Sequence, residues 1–276
     1  MRRRHFLQAA GVAPLVFGGA QQEAPAEERP KAQRPAQRDG PLAVLITSAE
    51  TPLARALADR LAKQYRVRLT SRGEPVVGGR FEHVPNRLDH DGATRSLVRG
   101  MDATVLVAEA PAREAGTSPI DERARCTYNL LRAAAEEGVR AAVYLSSLEM
   151  MAGYDARFTI DEDFRPLPGL RGDTLADYLG EFTGREFARE GKLAVVVLRL
   201  GRMRRTEQGG DQGPDPLALD PRDAVEAVAL ALDAVLSKPS RLGLWSVFHI
   251  LSAVPGSPFS WAKAHRILGY RPQFNG

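Results

Sequence analysis

Residues 45–65 read LITSAETPLARALADRLAKQY. An apolar run breaks at Thr47-Ser48, and leucines follow at 53, 57 and 61. Four-residue spacing puts those leucines on one face of a helix. Thr51 supplies an N-cap oxygen, and Pro52 at the first helical position gives up an N–H that the helix does not use. The stretch reads as strand, tight turn and helix, the unit that opens a dinucleotide-binding sheet. Such a turn is usually made of glycines, which let the backbone bend and approach a phosphate. This one contains none.

The same alternation continues outward. PLAVLIT (41–47) is a buried-strand pattern and YRVRLTS (65–71) a second. A helix over 92–100 precedes the strand DATVLVAEA (102–110), and the helix DERARCTYNLLRAAAEEG (121–138) precedes VRAAVYLSS (139–147). REFAREG leads into KLAVVVLRL (192–200), whose nearly continuous apolar content marks a central strand. DAVEAVALALDAVLS (223–237) is a helix that Asp223 would cap, and the Gly-, Pro- and Asp-rich residues 206–221 form a loop before it. The tail, 244–273, gives a short strand, a turn and a helix around Trp261–Leu268. Short apolar strands exchanging with amphipathic helices predict an α/β fold: a doubly wound, mainly parallel Rossmann-like sheet with a small C-terminal region.

Composition bounds the function. The 276 residues are 43% hydrophobic, enough for one sizeable core, and no run of eighteen apolar residues occurs. The single Cys126 excludes a disulfide framework within the chain and reads as a small buried side chain. The five histidines never approach metal-ligand spacing, so no metal is expected. The pI near 9.4 is not a nucleic-acid signal. Residues 1–40 carry seven basic and four acidic side chains, a net +3 of the chain's +4, and the remainder shows no basic stripe.

Those first residues have their own pattern. RRRHFLQ (2–8) followed by AAGVAPLVFGGA (9–20) is a positive segment, a short apolar segment and small residues before a cleavage point after Ala20. Arg3-Arg4 before Phe6-Leu7 resembles a twin-arginine export signal, which predicts an exported protein of the bacterial periplasm, touching a membrane only during export or through an uncleaved leader. Residues 21–40 read as a flexible linker, and the folded domain as 41–276.

The ordered segments VLIT, GMDATVLVAEA, TYNLLRAAAEEGVRAAVYLSS, EFAREGKLAVVVLR and AHRILGYRPQ together resemble the NAD-dependent epimerase/dehydratase family, the extended short-chain dehydrogenases. The last resembles uronate-dehydrogenase-like members. The resemblance covers roughly residues 41–276. It implies a nucleotide-binding sheet, NAD or NADP as cofactor, and hydride chemistry on a sugar or sugar acid. It also implies where the site residues fall. The TGxxGxxG turn lands on Thr47, Ser48, Thr51 and Ala54, with Glu50 set beside the pyrophosphate it would repel. Arg72, after the second strand, replaces the usual acidic residue and would face a 2′-phosphate or serve structurally. After the next strand the family's aspartate aligns near Arg87.

The catalytic Tyr-x-x-x-Lys pair lands on Asp173 and Asp177, which supply neither phenol nor ammonium. Tyr178 is the nearest phenol, but one residue turns a helix by about 100°, and no tyrosine in the chain has a lysine four positions later. The substrate-positioning Ser/Thr lands on Leu148, with Ser147 adjacent. Asp173, Asp177 and Glu181 share a helix face that reads as solvated, Asp161-Glu162-Asp163 reads as an exposed acidic turn, and Arg199 reads as structural. The expectation is an altered family member, with a noncatalytic exported module that binds a small molecule or a protein as the alternative.

Overall fold

A computed structural model describes residues 40–274 except 74–79, 108–118, 171 and 205–214. The segments read from the sequence as an export leader and a linker lie, apart from Gly40, outside the described residues. The described strands are β1 (Ala43–Ile46), β2 (Arg66–Leu69), β3 (Glu82–His83), β4 (Ala103–Leu106), β5 (Ala141–Ser147), β6 (Ala194–Leu200), β7 (Arg202–Met203), β8 (Ala218–Leu219) and β9 (Trp245–Ile250). The α-helices are α1 (Pro52–Leu61), α2 (Gly92–Val98), α3 (Pro119–Glu136), α4 (Gly172–Arg189), α5 (Pro221–Ser237) and α6 (Ala262–Leu268).

Seven strands form one sheet in the order β3-β2-β1-β4-β5-β6-β9, every pair parallel, and β7 and β8 pair separately. This is the doubly wound Rossmann-like α/β architecture that the alternation predicts. Successive side chains of a strand point to opposite faces, so each apolar strand feeds two cores. Val44 and Ile46 pack with the α1 leucines, α5 and α6, while Ala43 and Leu45 pack with α2, α3 and α4. A third cluster lies beyond the strand ends: Leu148, Met150 and Met151 of a 3₁₀ turn meet Ile160, Leu217, Leu251 and Phe259. The chain order reverses between β1 and β4, and ligands of open α/β sheets bind in the crevice outside the strand ends at that point.

Two local expectations change. Strand β3 is only two residues long and has no apolar run to announce it; its pairing with β2 is what makes it a strand. Asp223 does not cap α5. Asp220 does, accepting from Arg222 N–H at 2.9 Å, because the helix begins at Pro221, earlier than its apolar period. Asp223 instead accepts the backbone N–H groups of Gln273 (2.9 Å) and Phe274 (3.2 Å), tying the tail to α5.

Helix α4 sits close to the sheet through Gly180. A Cβ built there would clash with the Tyr144 hydroxyl and with the ring carbon that carries it. Gly180→Ala should therefore destabilise the fold by about 1–3 kcal/mol, the usual cost of overpacking, measured as a lowered thermal midpoint. Tyr144→Phe in that background should recover only part of the loss, because the ring carbon remains. An unchanged midpoint in Gly180→Ala would contradict this packing.

Candidate functional site

The turn after β1 is held by hydroxyls in place of glycines. Ser48 adopts φ 55°, the left-handed conformation that glycine enters without strain. Thr47 Oγ1 accepts Val107 N–H at 2.9 Å, and Ser48 Oγ donates to Val107 O at 3.0 Å. Both polar groups of one residue at the end of β4 are thus clamped by the turn. Thr51 caps α1 as its sequence predicts, accepting from Ala54 N–H at 3.2 Å and donating its own hydroxyl to Ser48 O. Ala54 is fully buried.

A pyrophosphate on this turn would need the free N–H groups of the α1 N-terminus. Pro52 has none, Ala54 N–H is taken by Thr51, and Thr51 N–H and Ala49 N–H bond to Ser48 O and Thr70 O. Of the first three helical positions, only Leu53 keeps an N–H to offer. Glu50 adds a negative charge, its Oε2 shielded from solvent and without a hydrogen-bond partner. The residues present do not fit a dinucleotide pyrophosphate. Arg72, the cation expected to meet a 2′-phosphate, donates to Cys126 Sγ at 3.0 Å.

The positions that the resemblance assigns to the catalytic pair lie on α4. Asp173 is exposed, whereas Asp177 and Glu181 are buried, so the three carboxylates do not form one solvated face. The four-residue spacing is obeyed, but the face it defines turns inward after the first helical turn. Asp177 pairs with Arg123 of α3. Burial pushes the Asp177 carboxyl up to about 6, against the pull of Arg123. One turn on, Glu181 accepts two hydrogen bonds from Arg199, at 2.9 and 2.8 Å, with both side chains 5% exposed. The structural role read for Arg199 is the one it has.

Arg199 stands in a row across the sheet, with Ser146 of β5 and His249 of β9 beside it in register. Its Nη1 lies 3.5 Å from His249 Nε2. A guanidinium can only donate, so Nε2 accepts and the ring proton sits on Nδ1. Burial, with Arg199 and Lys263 adding to it, pushes this imidazole down to about 3 and holds it neutral. Glu162 is not simply part of an exposed acidic turn: its Oε1 accepts the His249 backbone N–H at 2.8 Å and so completes the edge of β9. Sequence reading missed Arg123 and His249. An arginine three residues before a buried cysteine on a helix gives no local signal of a partner on another helix.

Leu148 is fully buried. Ser147 caps the 3₁₀ turn that follows β5, accepting from Glu149 N–H at 3.2 Å. Tyr178 is half-buried and packs on the third apolar cluster, away from the Asp177–Arg123 pair. Ser147 and Tyr178 therefore border the same 3₁₀ turn, without a lysine at the helical position that the family uses. Among the described residues, no group of three or more His, Cys, Asp or Glu could hold a metal ion, and no helix is long and apolar enough to cross a membrane.

The Asp177 site has a pH signature. Its carboxyl titrates near 3.8 when exposed and near 6 in the fold, so its contribution to stability is fully present below the lower value. That contribution is lost as pH rises through the upper one. The loss should be of the order of 1–3 kcal/mol, at about 1.4 kcal/mol per pKa unit. Urea unfolding at pH 4 and pH 7 should show a smaller fall in stability for Asp177→Asn than for the parent. An equal fall would contradict the burial of this carboxyl.

No protein-family model matches the chain. An uncharacterized protein of Bacillus subtilis (strain 168), YtbQ, is 28% identical over 173 residues, a match spanning 55% of this chain and 60% of that protein's length. Uronate dehydrogenase from Agrobacterium tumefaciens superposes with a TM-score of 0.69 at 21% identity, covering 85% of both chains. The UDP-glucuronic acid 4-epimerase of Bacillus cereus, solved in complex with NAD, superposes with 0.68 at 16% identity, covering 85% of this chain and 94% of that one. The chain therefore has the fold of the NAD-dependent epimerases and dehydratases, the fold its ordered segments resemble.

Proposed function

We propose that this protein uses the epimerase/dehydratase fold to bind a sugar-like small molecule, and that it does not transfer hydride by the Tyr-Lys route of that family. One observation carries the reading: Asp177, which stands where the resemblance puts the catalytic lysine, is buried and paired with Arg123. An ammonium there lowers the cost of removing a proton from the neighbouring phenol. A carboxylate has the opposite sign, and Arg123 already engages it. In this reading NAD and NADP bind more weakly than to glycine-containing turns, because Glu50, Pro52 and the Thr51 cap oppose a pyrophosphate.

A second reading, an NAD(P)-dependent enzyme that has recruited Tyr178 and Ser147, is favoured by their common border on the 3₁₀ turn. The two readings separate in one assay. Sugar acids and nucleotide sugars are screened with both nicotinamide cofactors, with circular dichroism as a folding control. Tyr178→Phe should change any turnover by less than about tenfold. Loss of an essential general acid/base costs roughly 10²- to 10⁴-fold, and a loss of that size with intact folding would establish the second reading.

The leader belongs to the same proposal: Arg3-Arg4 and the apolar segment after them would direct the folded protein to the periplasm. Arg3→Lys with Arg4→Lys should block export while leaving the domain folded, read by fractionation and by sequencing the mature terminus. Normal export and processing of the double variant would exclude that route.

A further inference from the structure

The acidic run Asp161-Glu162-Asp163 belongs to a loop that is packed on itself. The Tyr154 hydroxyl donates to Arg165 O at 2.7 Å and closes the neck of residues 154–165. Within that neck Tyr154 and Phe164 meet edge to face with centroids 5.0 Å apart, and Phe158 lies 6.4 Å from Phe164. Asp155 O accepts Phe158 N–H at 3.1 Å, Asp155 pairs with Arg157, and Asp161 Oδ1 accepts Asp163 N–H at 3.1 Å. A surface segment with close ends and its own side-chain filling is a compact body in its own right. This one is seated at the end of β9. Ile160 N–H donates to Pro258 O at 2.7 Å, Ser260 N–H donates to Ile160 O at 2.9 Å, and Glu162 Oε1 accepts His249 N–H at 2.8 Å. The Ile160 side chain is fully buried in the third apolar cluster, with Tyr154 and Phe164 packed on its rim.

We propose that residues 154–165 are a lid that docks on the end of β9 and lifts from it as one body, with the Glu162 carboxylate as its latch. Lifting withdraws Ile160 from the apolar cluster that Tyr178 also borders, so the lid governs access to the strand ends where Ser147 and Tyr178 lie. The latch responds to protons. Docking takes the Glu162 carboxyl out of water, and this burial pushes it up from the usual carboxylate range, against the His249 N–H and Lys263, which favour its charged form. The charged and titratable groups facing it are Lys263 of α6, Asp161 of the loop itself and the ring of His249, which is held neutral with Arg199 behind it. A proton held more tightly in the docked state than in the lifted one draws the lid shut as pH falls. The lid loosens as pH rises through the docked value.

The test is residue-resolved amide hydrogen exchange on the full chain at pH 5.5 and pH 8, each rate divided by its value in an unstructured peptide. The Ile160, Ser260 and His249 N–H groups should share one opening, more frequent than that of the β6 amides, because one motion frees all three. Their protection should fall by at least about twofold from pH 5.5 to pH 8. Glu162→Gln keeps the acceptor oxygen without the charge and should abolish that fall. Glu162→Ala should lower the protection of all three together by about tenfold or more, the loss expected for a hydrogen bond to a charged group, while β6 stays as protected as in the parent. Exchange of the three only through global unfolding, three unrelated openings, an effect of Glu162→Ala confined to His249, or an undiminished pH dependence in Glu162→Gln would each overturn the lid. Neither turnover nor ligand binding enters the readout, so failure here is distinct from failure of the noncatalytic reading.

Discussion

An arginine buried in the plane of a parallel sheet has to be matched, and Arg199 is matched by Glu181. Both side chains are 5% exposed. Breaking such a pair by removing one partner typically costs about 3–5 kcal/mol, because a charge is left buried and alone. The bidentate geometry fixes more than a contact: it sets the rotation of α4 about its own axis. With Glu181 directed at the sheet, Asp177 one turn earlier faces inward as well, and Gly180 comes against Tyr144. Tyr178 is turned away by one helical step and lands on the apolar cluster beyond the strand ends. Which residues of α4 face inward follows from where Glu181 must point.

Arg123 answers the second inward-facing carboxylate. A carboxylate on the inner face of α4 would be as costly as an unpaired Arg199, and α3 supplies the counter-charge. Burial still dominates at Asp177, which titrates near 6, so the pair sits closer to a compromise than the Glu181–Arg199 clamp does. At the other end of the crevice, the turn after β1 solves a backbone problem with side chains. Ser48 holds a left-handed conformation because Thr47 and Ser48 grip both polar groups of Val107, and Thr51 grips the turn itself. Contacts of this kind make the turn rigid while spending the donors that an anion would use. Under the function proposed above, both ends oppose the same chemistry, a phosphate-bearing cofactor at one and phenol activation at the other.

Much of this was legible before any coordinates. Leucines at 53, 57 and 61 and the Thr51-Pro52 start define α1 because helix period and capping are local properties. Continuous apolar runs such as AVVVL give central strands because parallel sheets are covered on both faces. The absence of glycine from the turn and the presence of aspartates at 173 and 177 are facts of the sequence, open to inspection without any fold. Cys126, read as a buried side chain, is one. Strand β3 and the capping role of Asp220 were not legible, since one depends on pairing and the other on where a helix begins in space.

The sequence by itself determined the alternation of strands and helices, the doubly wound class and the residue types at each position of the site. Those properties are set by periodicity and side-chain chemistry within a few residues. Only the tertiary structure decided that Asp177 meets Arg123 across 54 residues and that Glu181 meets Arg199. A charge pattern on one helix is the same whether its partner is water or a buried guanidinium. What distinguishes them is desolvation, and that exists only once the helix has been laid against the sheet.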